Sequence, residues 1–289
     1  MDELAAKQVL LDFEIIALIA LVLGVAGYVF VRRLRHREVI DRSALANRFD
    51  GFDLALMFFP ALLFLMNPVA EAMIAASGVE KPDPADRNEV SAMLVHLVVF
   101  VLVGVMTYGI NQWVRDRDVT ELFGLRRLAI PLVVVFSILG SVASLVVCAK
   151  WIGELSNLYL ESLFGELDVQ DPVRTFQESK SNIHLGLSIL TACVVAPVVE
   201  ELLFRGYMYG VVKRFTGPVF SAVVIGALFA VVHGNLPALL PLWGFSIMLC
   251  AAYEITRCLW VPIGMHALFN GANIVLMLVA DTVELAPHD

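Results

Sequence analysis

The sequence predicts an all-α, polytopic helical membrane protein with about eight transmembrane helices. Three observations predict it. Of the 289 residues, 59% are apolar or aromatic and 17% are charged, against about 25% charged in an ordinary soluble domain. Mean hydropathy is +0.81. The apolar residues gather in runs of roughly 20, the length that crosses a bilayer core as helix. A soluble fold could not hide this much apolar side chain and still cover its surface, so soluble globular, disordered and fibrous classes are excluded.

The apolar runs fall at 13–31, 52–75, 91–113, 128–149, 184–206, 217–235, 236–256 and 259–280. The first ends on Arg32-Arg33-Leu34-Arg35-His36-Arg37, and no basic cluster precedes it. It reads as an uncleaved anchor with its C-terminal end in the cytoplasm. With the N-terminus outside, fourteen of the 20 Lys and Arg fall on inner segments, among them Arg115, Arg126-Arg127 and Lys213-Arg214; the other six fall outside. That asymmetry obeys the positive-inside rule, and Trp113, Trp151 and Trp260 lie at span ends, where indole rings collect. Residues 78–90 and 151–183 are acidic outer loops. Within the second, Trp151, Leu155, Leu158 and Tyr159 recur at helical spacing, so an interfacial helix or a solvated loop fits there. Cys148, Cys193, Cys250 and Cys258 form no CxxC pair and read as buried apolar residues. The net charge of −8, with no basic stripe, gives no sign of nucleic-acid binding.

Ionisable groups inside a span are costly and mark function by default. They concentrate in the last four spans. Glu200 and Glu201 are adjacent in an apolar run, with Arg205 four residues after Glu201. Glu201 and Arg205 can pair along one helix face. Glu200 points about 100° away and has no such cation. Desolvation without a cation makes a carboxylate a stronger base, as water activation requires. The bland alternative is that both acids only hold helices together. Phe229 and His233 share a face of the next span, where a lone histidine is more often a packed core residue. His266 and Asn270 share a face of the last span, with Asn273 beyond. Two donors aimed at one point suit an oxyanion site; interhelical polar packing would use the same residues.

These motifs, Glu200-Glu201-x-x-x-Arg205, Phe229-x-x-x-His233 and Trp260-Val261-Pro262-Ile263-Gly264-Met265-His266-Ala267-Leu268-Phe269-Asn270, resemble in order those of the CPBP family. It is also called the Abi or CAAX protease family and includes the Rce1-type prenyl-protein endopeptidases. The resemblance covers about 184–281. It implies an intramembrane endopeptidase with Glu200 and His233 activating water, and His266 and Asn270 holding the oxyanion. Glu201, Arg205, Phe229 and Asn273 are the expected supporting residues. No cofactor is expected. The family has also been described as metalloproteases, and a zinc site could assemble only from Glu200, His233 and His266, since no HExxH is present.

The expected organisation is an N-terminal four-helix membrane region, 1–183; a catalytic core of four transmembrane segments, 184–281; and a short outer tail, 282–289. The expected partners are a membrane-anchored protein or peptide substrate and the lipid bilayer. The expected location is a prokaryotic inner membrane, or the endoplasmic reticulum membrane in a eukaryote. Two other readings remain: a non-catalytic scaffold or immunity protein, and a transporter with a proton relay, which the lack of an inverted repeat disfavours. Oligomeric state is not legible. One geometric condition follows for the protease. Were span five to end at Arg205, Glu200 would lie near the cytoplasmic edge and His233 about 24 Å from it. The two can share a water only if that helix continues to about Lys213.

Overall fold

The computed structural model describes residues 48–62, 89–164 and 182–284. The first expected span, most of the second, much of both acidic loops and the last five residues lie outside them. Among the described residues there is no strand, and five helices are long and apolar enough to cross a membrane. The protein is a polytopic helical membrane protein.

Helix α1 (Gly51–Leu62) is short. Asp50 caps it, accepting from the backbone N–H of Phe52 and Asp53. Helix α2 runs Glu89–Gly109 and continues through a π-helical turn, Ile110–Val114; α3 is the single turn Val119–Leu122. Helix α4 joins Ile130–Ser144, a π segment Leu145–Ile152, and Gly153–Phe164 into one rod. The interfacial segment at 151–161 is thus the end of the fourth span: no Gly-Pro break separates them, so the helix carries on past the lipid-length run. Trp151, Leu155, Leu158 and Tyr159 lie exposed along that end.

Helix α5 is the central rod. It comprises Asn182–Leu190, the π turn Thr191–Val195, Ala196–Glu201, the π segment Leu202–Tyr209, and Gly210–Thr216. It therefore passes Arg205 and meets the condition set above. Gly217, at φ +92°, stops it, and Pro218 opens α6 (Pro218–Val231), the C-terminal glycine and N-terminal proline pattern. Helix α6 has only 14 residues, fewer than the apolar run 217–235, because Gly234 turns the chain at φ +58° and Asn235 caps α7 (Leu236–Thr256) by accepting from Ala238 N–H. Helix α8 spans Trp260–Glu284.

Helices α6 and α7 pair as a hairpin, α8 packs on α4, and α5 packs against both α2 and α8. Small residues permit the closest crossing. A Cβ at Gly140 would stand 2.5 Å from Met265 Sδ, and one at Gly264 2.4 Å from Ser137 Oγ. Ser137 Oγ also donates to Val261 O at 3.2 Å. Such stripes drive helix association where no hydrophobic effect separates helix from lipid.

The basic ends of the helices are tied together. Asp53 is fully buried and takes both guanidinium nitrogens of Arg117, at 2.8 and 2.6 Å, a bidentate pair. Arg115 bridges Asp50 and Asp53, and Lys213 on α5 donates to Glu254 on α7 at 2.8 Å. Gly124 sits at φ +65°, and a Cβ there would overlap Arg257 O at 1.9 Å. Only glycine fits that contact.

Candidate active site

Glu200 on α5, His233 in the turn just past the end of α6 rather than within that helix, and His266 on α8 all converge. Glu200 Oε2 lies 3.9 Å from His233 Nε2 and 3.9 Å from His266 Nε2. The Glu200 and His266 side chains are 6% and 4% exposed, whereas His233 is 30% exposed. The site is thus buried on two sides and opens at the α6–α7 turn. Glu200 Oε2 is buried and takes no hydrogen bond from the protein. An orphaned acceptor of this kind is costly in a structural role and is expected of a reacting group.

Each imidazole is held from behind. His233 Nδ1 stands 2.6 Å from Phe229 O. A carbonyl only accepts, so Nδ1 carries the proton and Nε2 of the neutral ring presents a lone pair. His266 Nδ1 stands 2.9 Å from Glu201 Oε1, which likewise calls for a proton on Nδ1. Packing fixes the ring planes: Phe229 lies 4.6 Å from His233 and 5.8 Å from His266, and Phe245 meets His266 edge-on at 5.5 Å.

Glu201 and Arg205 form the expected i,i+4 pair, Nη1 to Oε1 at 2.7 Å, with both side chains fully buried. Arg205 Nη2 donates to Ser246 Oγ at 2.6 Å and lies 3.3 Å from Ser246 O. Its guanidinium sits over the Phe229 ring at 4.5 Å, a desolvated cation–π contact. Glu200 and Glu201 therefore have the different surroundings that their 100° offset implies.

Asn270 is placed differently from the simple expectation. Its Nδ2 donates to Ala192 O on α5 at 2.8 Å. In a π turn that carbonyl looks to the N–H five residues on, and residue 197 is proline, which has none. Asn270 fills the gap with one amide hydrogen and keeps the second. Asn273 donates to Phe269 O in its own helix and does not reach the acid–imidazole cluster. Ser246 and Phe245 were not legible as site residues. A serine and a phenylalanine in an apolar run carry no signal until α7 is set against α5 and α8.

Two imidazole nitrogens and a carboxylate oxygen are donors that zinc takes, each backed by a hydrogen-bonding partner. Their spacing is wider than ligation: among the described residues no group of three His, Cys, Asp or Glu stands close enough to hold a metal ion.

This buried acid and the two oriented imidazoles lie in the part of the chain that resembles membrane-embedded proteases. Residues 182–272 match the family described as type II CAAX prenyl endopeptidase Rce1-like, and the matched segment contains every residue of the cluster. Among curated proteins, the chain is 28% identical over 92 residues to YdiL of Bacillus subtilis (strain 168), named as a candidate membrane peptidase; the match covers 32% of this chain and 38% of that protein. It is 27% identical over 101 residues to the membrane-embedded CAAX protease MroQ of Staphylococcus aureus (strain USA300), covering 33% and 41%. The chain thus spans about two fifths of the length of those curated relatives. No solved structure matches it.

Proposed function

We propose that this protein is an intramembrane endopeptidase that hydrolyses a peptide bond of a membrane-associated protein or peptide without a covalent intermediate. The observation that carries the reading is the convergence of two oriented Nε2 atoms on the orphaned Glu200 Oε2.

A water beside Glu200 donates one hydrogen to Oε2 and the other to the lone pair of His233 Nε2. Glu200 takes the first proton as the water oxygen attacks the scissile carbonyl carbon. The carbonyl oxygen gains the negative charge. His266, its ring oriented by the Glu201 carboxylate at Nδ1, donates to it through Nε2 once that nitrogen is protonated. The second amide hydrogen of Asn270, which Ala192 O does not use, is the other donor proposed for that oxygen. Collapse breaks the C–N bond, and Glu200 returns its proton to the leaving amine. No serine or cysteine occurs in these motifs, so a covalent nucleophile has no donor among them.

The test is quantitative proteomics of membranes from cells carrying the wild type or Glu200→Gln at equal abundance. A membrane protein cut only with the wild type supports the reading, and a peptide spanning its cut site becomes the assay substrate. Cleavage that persists in Glu200→Gln removes Glu200 as the base. An unchanged proteome and phenotype in both Glu200→Gln and His266→Ala favour the scaffold or immunity reading. A second reading, zinc held by Glu200, His233 and His266, rests on their donor chemistry and would require them to close in from the observed 3.9 Å spacing; the ion would supply Lewis acidity. Cleavage lost with a chelator and restored by zinc would favour it; full rate with the chelator favours the metal-free path.

A further inference from the structure

We propose that Ser246 is a positioning residue: through Arg205 and Glu201 it fixes the ring state of His266. This rests on the proposed hydrolytic role of the site, and it adds a helix, α7, that contributes no group to the reaction itself.

Arg205 lies fully buried at the centre of the bundle and touches both halves of the site. One guanidinium nitrogen holds Glu201 Oε1, the same oxygen that receives His266 Nδ1. The other is held by Ser246 Oγ. The guanidinium plane covers Phe229, whose carbonyl receives His233 Nδ1. One cation thus stands behind both imidazoles, by a carboxylate on one side and an aromatic residue on the other.

From α7, Ser246 Oγ takes a short hydrogen bond from Arg205 Nη2 at 2.6 Å, and the Cys250 thiol, one turn further along the same helix, is a weaker second partner of the guanidinium. Arg205 Nε is buried without a partner, as is Glu201 Oε2, so the pair is not over-determined. Without the Ser246 hydroxyl, the guanidinium keeps the longer contact to the Ser246 carbonyl and the weak thiol of Cys250. The fork can then rotate about the Glu201 contact, and Glu201 can turn its second oxygen inward. Either motion loosens the acceptor that holds the His266 proton on Nδ1. A serine present only to fill space would act through volume alone. A serine that orients Arg205 acts through its hydroxyl.

The test uses the full chain in detergent micelles with 15N-labelled histidine, His266 being assigned by its loss in His266→Gln. Wild type should show a single, hydrogen-bonded Nδ1–H form of His266 at fixed pH. In Ser246→Ala that signal should broaden into exchange between ring forms. On the cut-site peptide, kcat should fall roughly ten-fold with KM unchanged, the pattern of lost transition-state support. Ser246→Thr, which keeps the hydroxyl, should restore both. An alanine variant with the wild-type signal and kcat overturns the proposal. So does a loss that Thr fails to restore while its melting temperature stays at the wild-type value. Glu200→Gln separates the two claims. Cleavage that survives it sinks the hydrolytic reading but leaves the ring-state result intact, whereas loss of cleavage in Glu200→Gln with no effect of Ser246→Ala sinks this proposal alone.

Discussion

At the scale of single residues, the proposed mechanism gives Asn270 two tasks. One amide hydrogen holds the Ala192 carbonyl that Pro197 cannot serve; the other is available to an oxyanion. Asn270→Ala should therefore lower stability as well as rate. Leaving a buried carbonyl unpaired costs about 1–3 kcal/mol, a drop that thermal unfolding in detergent would register as a lower melting temperature. Asn270→Asp should be worse, because an ionised carboxylate would face the carbonyl with no donor. If Asn270→Ala lowers kcat but leaves the melting temperature unchanged, the structural task is refuted. The acid and imidazoles that cluster were legible in the sequence because such a group in an apolar run is rare and costly. Glu200 was separable from Glu201 by helix geometry alone. Phe229 was expected as a supporting residue from its motif, though its backbone carbonyl, a group every residue carries, is what meets His233; Ser246 was not legible, because a hydroxyl is common in such helices.

At the scale of elements, two prolines recur with one remedy. Pro197 leaves Ala192 O for Asn270, and Pro241 within α7 leaves the carbonyl four residues earlier, Pro237 O, to Ser156 Oγ of α4 at 3.3 Å. In a bilayer such carbonyls have no water to turn to, so neighbouring helices must supply donors. Ser156→Ala should lower the melting temperature by a few degrees, in keeping with a loss of about 1 kcal/mol. Gly140→Leu should do far more. Its Cβ alone would meet Met265 Sδ at 2.5 Å, next to His266, so both melting temperature and activity should fall; a well-folded, fully active leucine variant would contradict the α4–α8 contact. Helix ends were the least legible feature. Hydropathy marks the stretch that suits lipid, whereas a helix ends where its caps are. Arg205 looked like a boundary, yet its charge is met inside the bundle by Glu201 and Ser246, so α5 continues until Gly217. The apolar run 217–235 likewise overran the end of α6 at Val231; the chain marks that end only in Gly234-Asn235-Leu236-Pro237, a turn residue, a cap and an early proline.

At the scale of the whole molecule, charge sorts along the rods. The end bearing Arg115, Arg117, Lys213 and Arg257 also holds Asp50, Asp53 and Glu254, and several of these basic groups are paired there. That pairing does not weaken the orientation argument, because the positive-inside rule counts Lys and Arg near span ends and gives acids little weight. Helix α4 provides the ruler. Its apolar rod Ile130–Ser162 has 33 residues, about 50 Å long against a bilayer core of about 30 Å, so its two ends emerge on opposite sides. Arg126, just before the rod, and Glu161, near its far end, are both exposed. With Cys193 replaced by Ala, the remaining cysteines, Cys148, Cys250 and Cys258, are buried and should give little background. A membrane-impermeant maleimide should then label Glu161→Cys on intact cells, and Arg126→Cys only after permeabilisation. The reverse pattern would invert the protein and place the opening beside His233 toward the cytoplasm. The expected pattern instead turns that opening, at the α6–α7 hairpin tip, away from the basic loops. A scissile bond would then be presented from the outer half of the membrane.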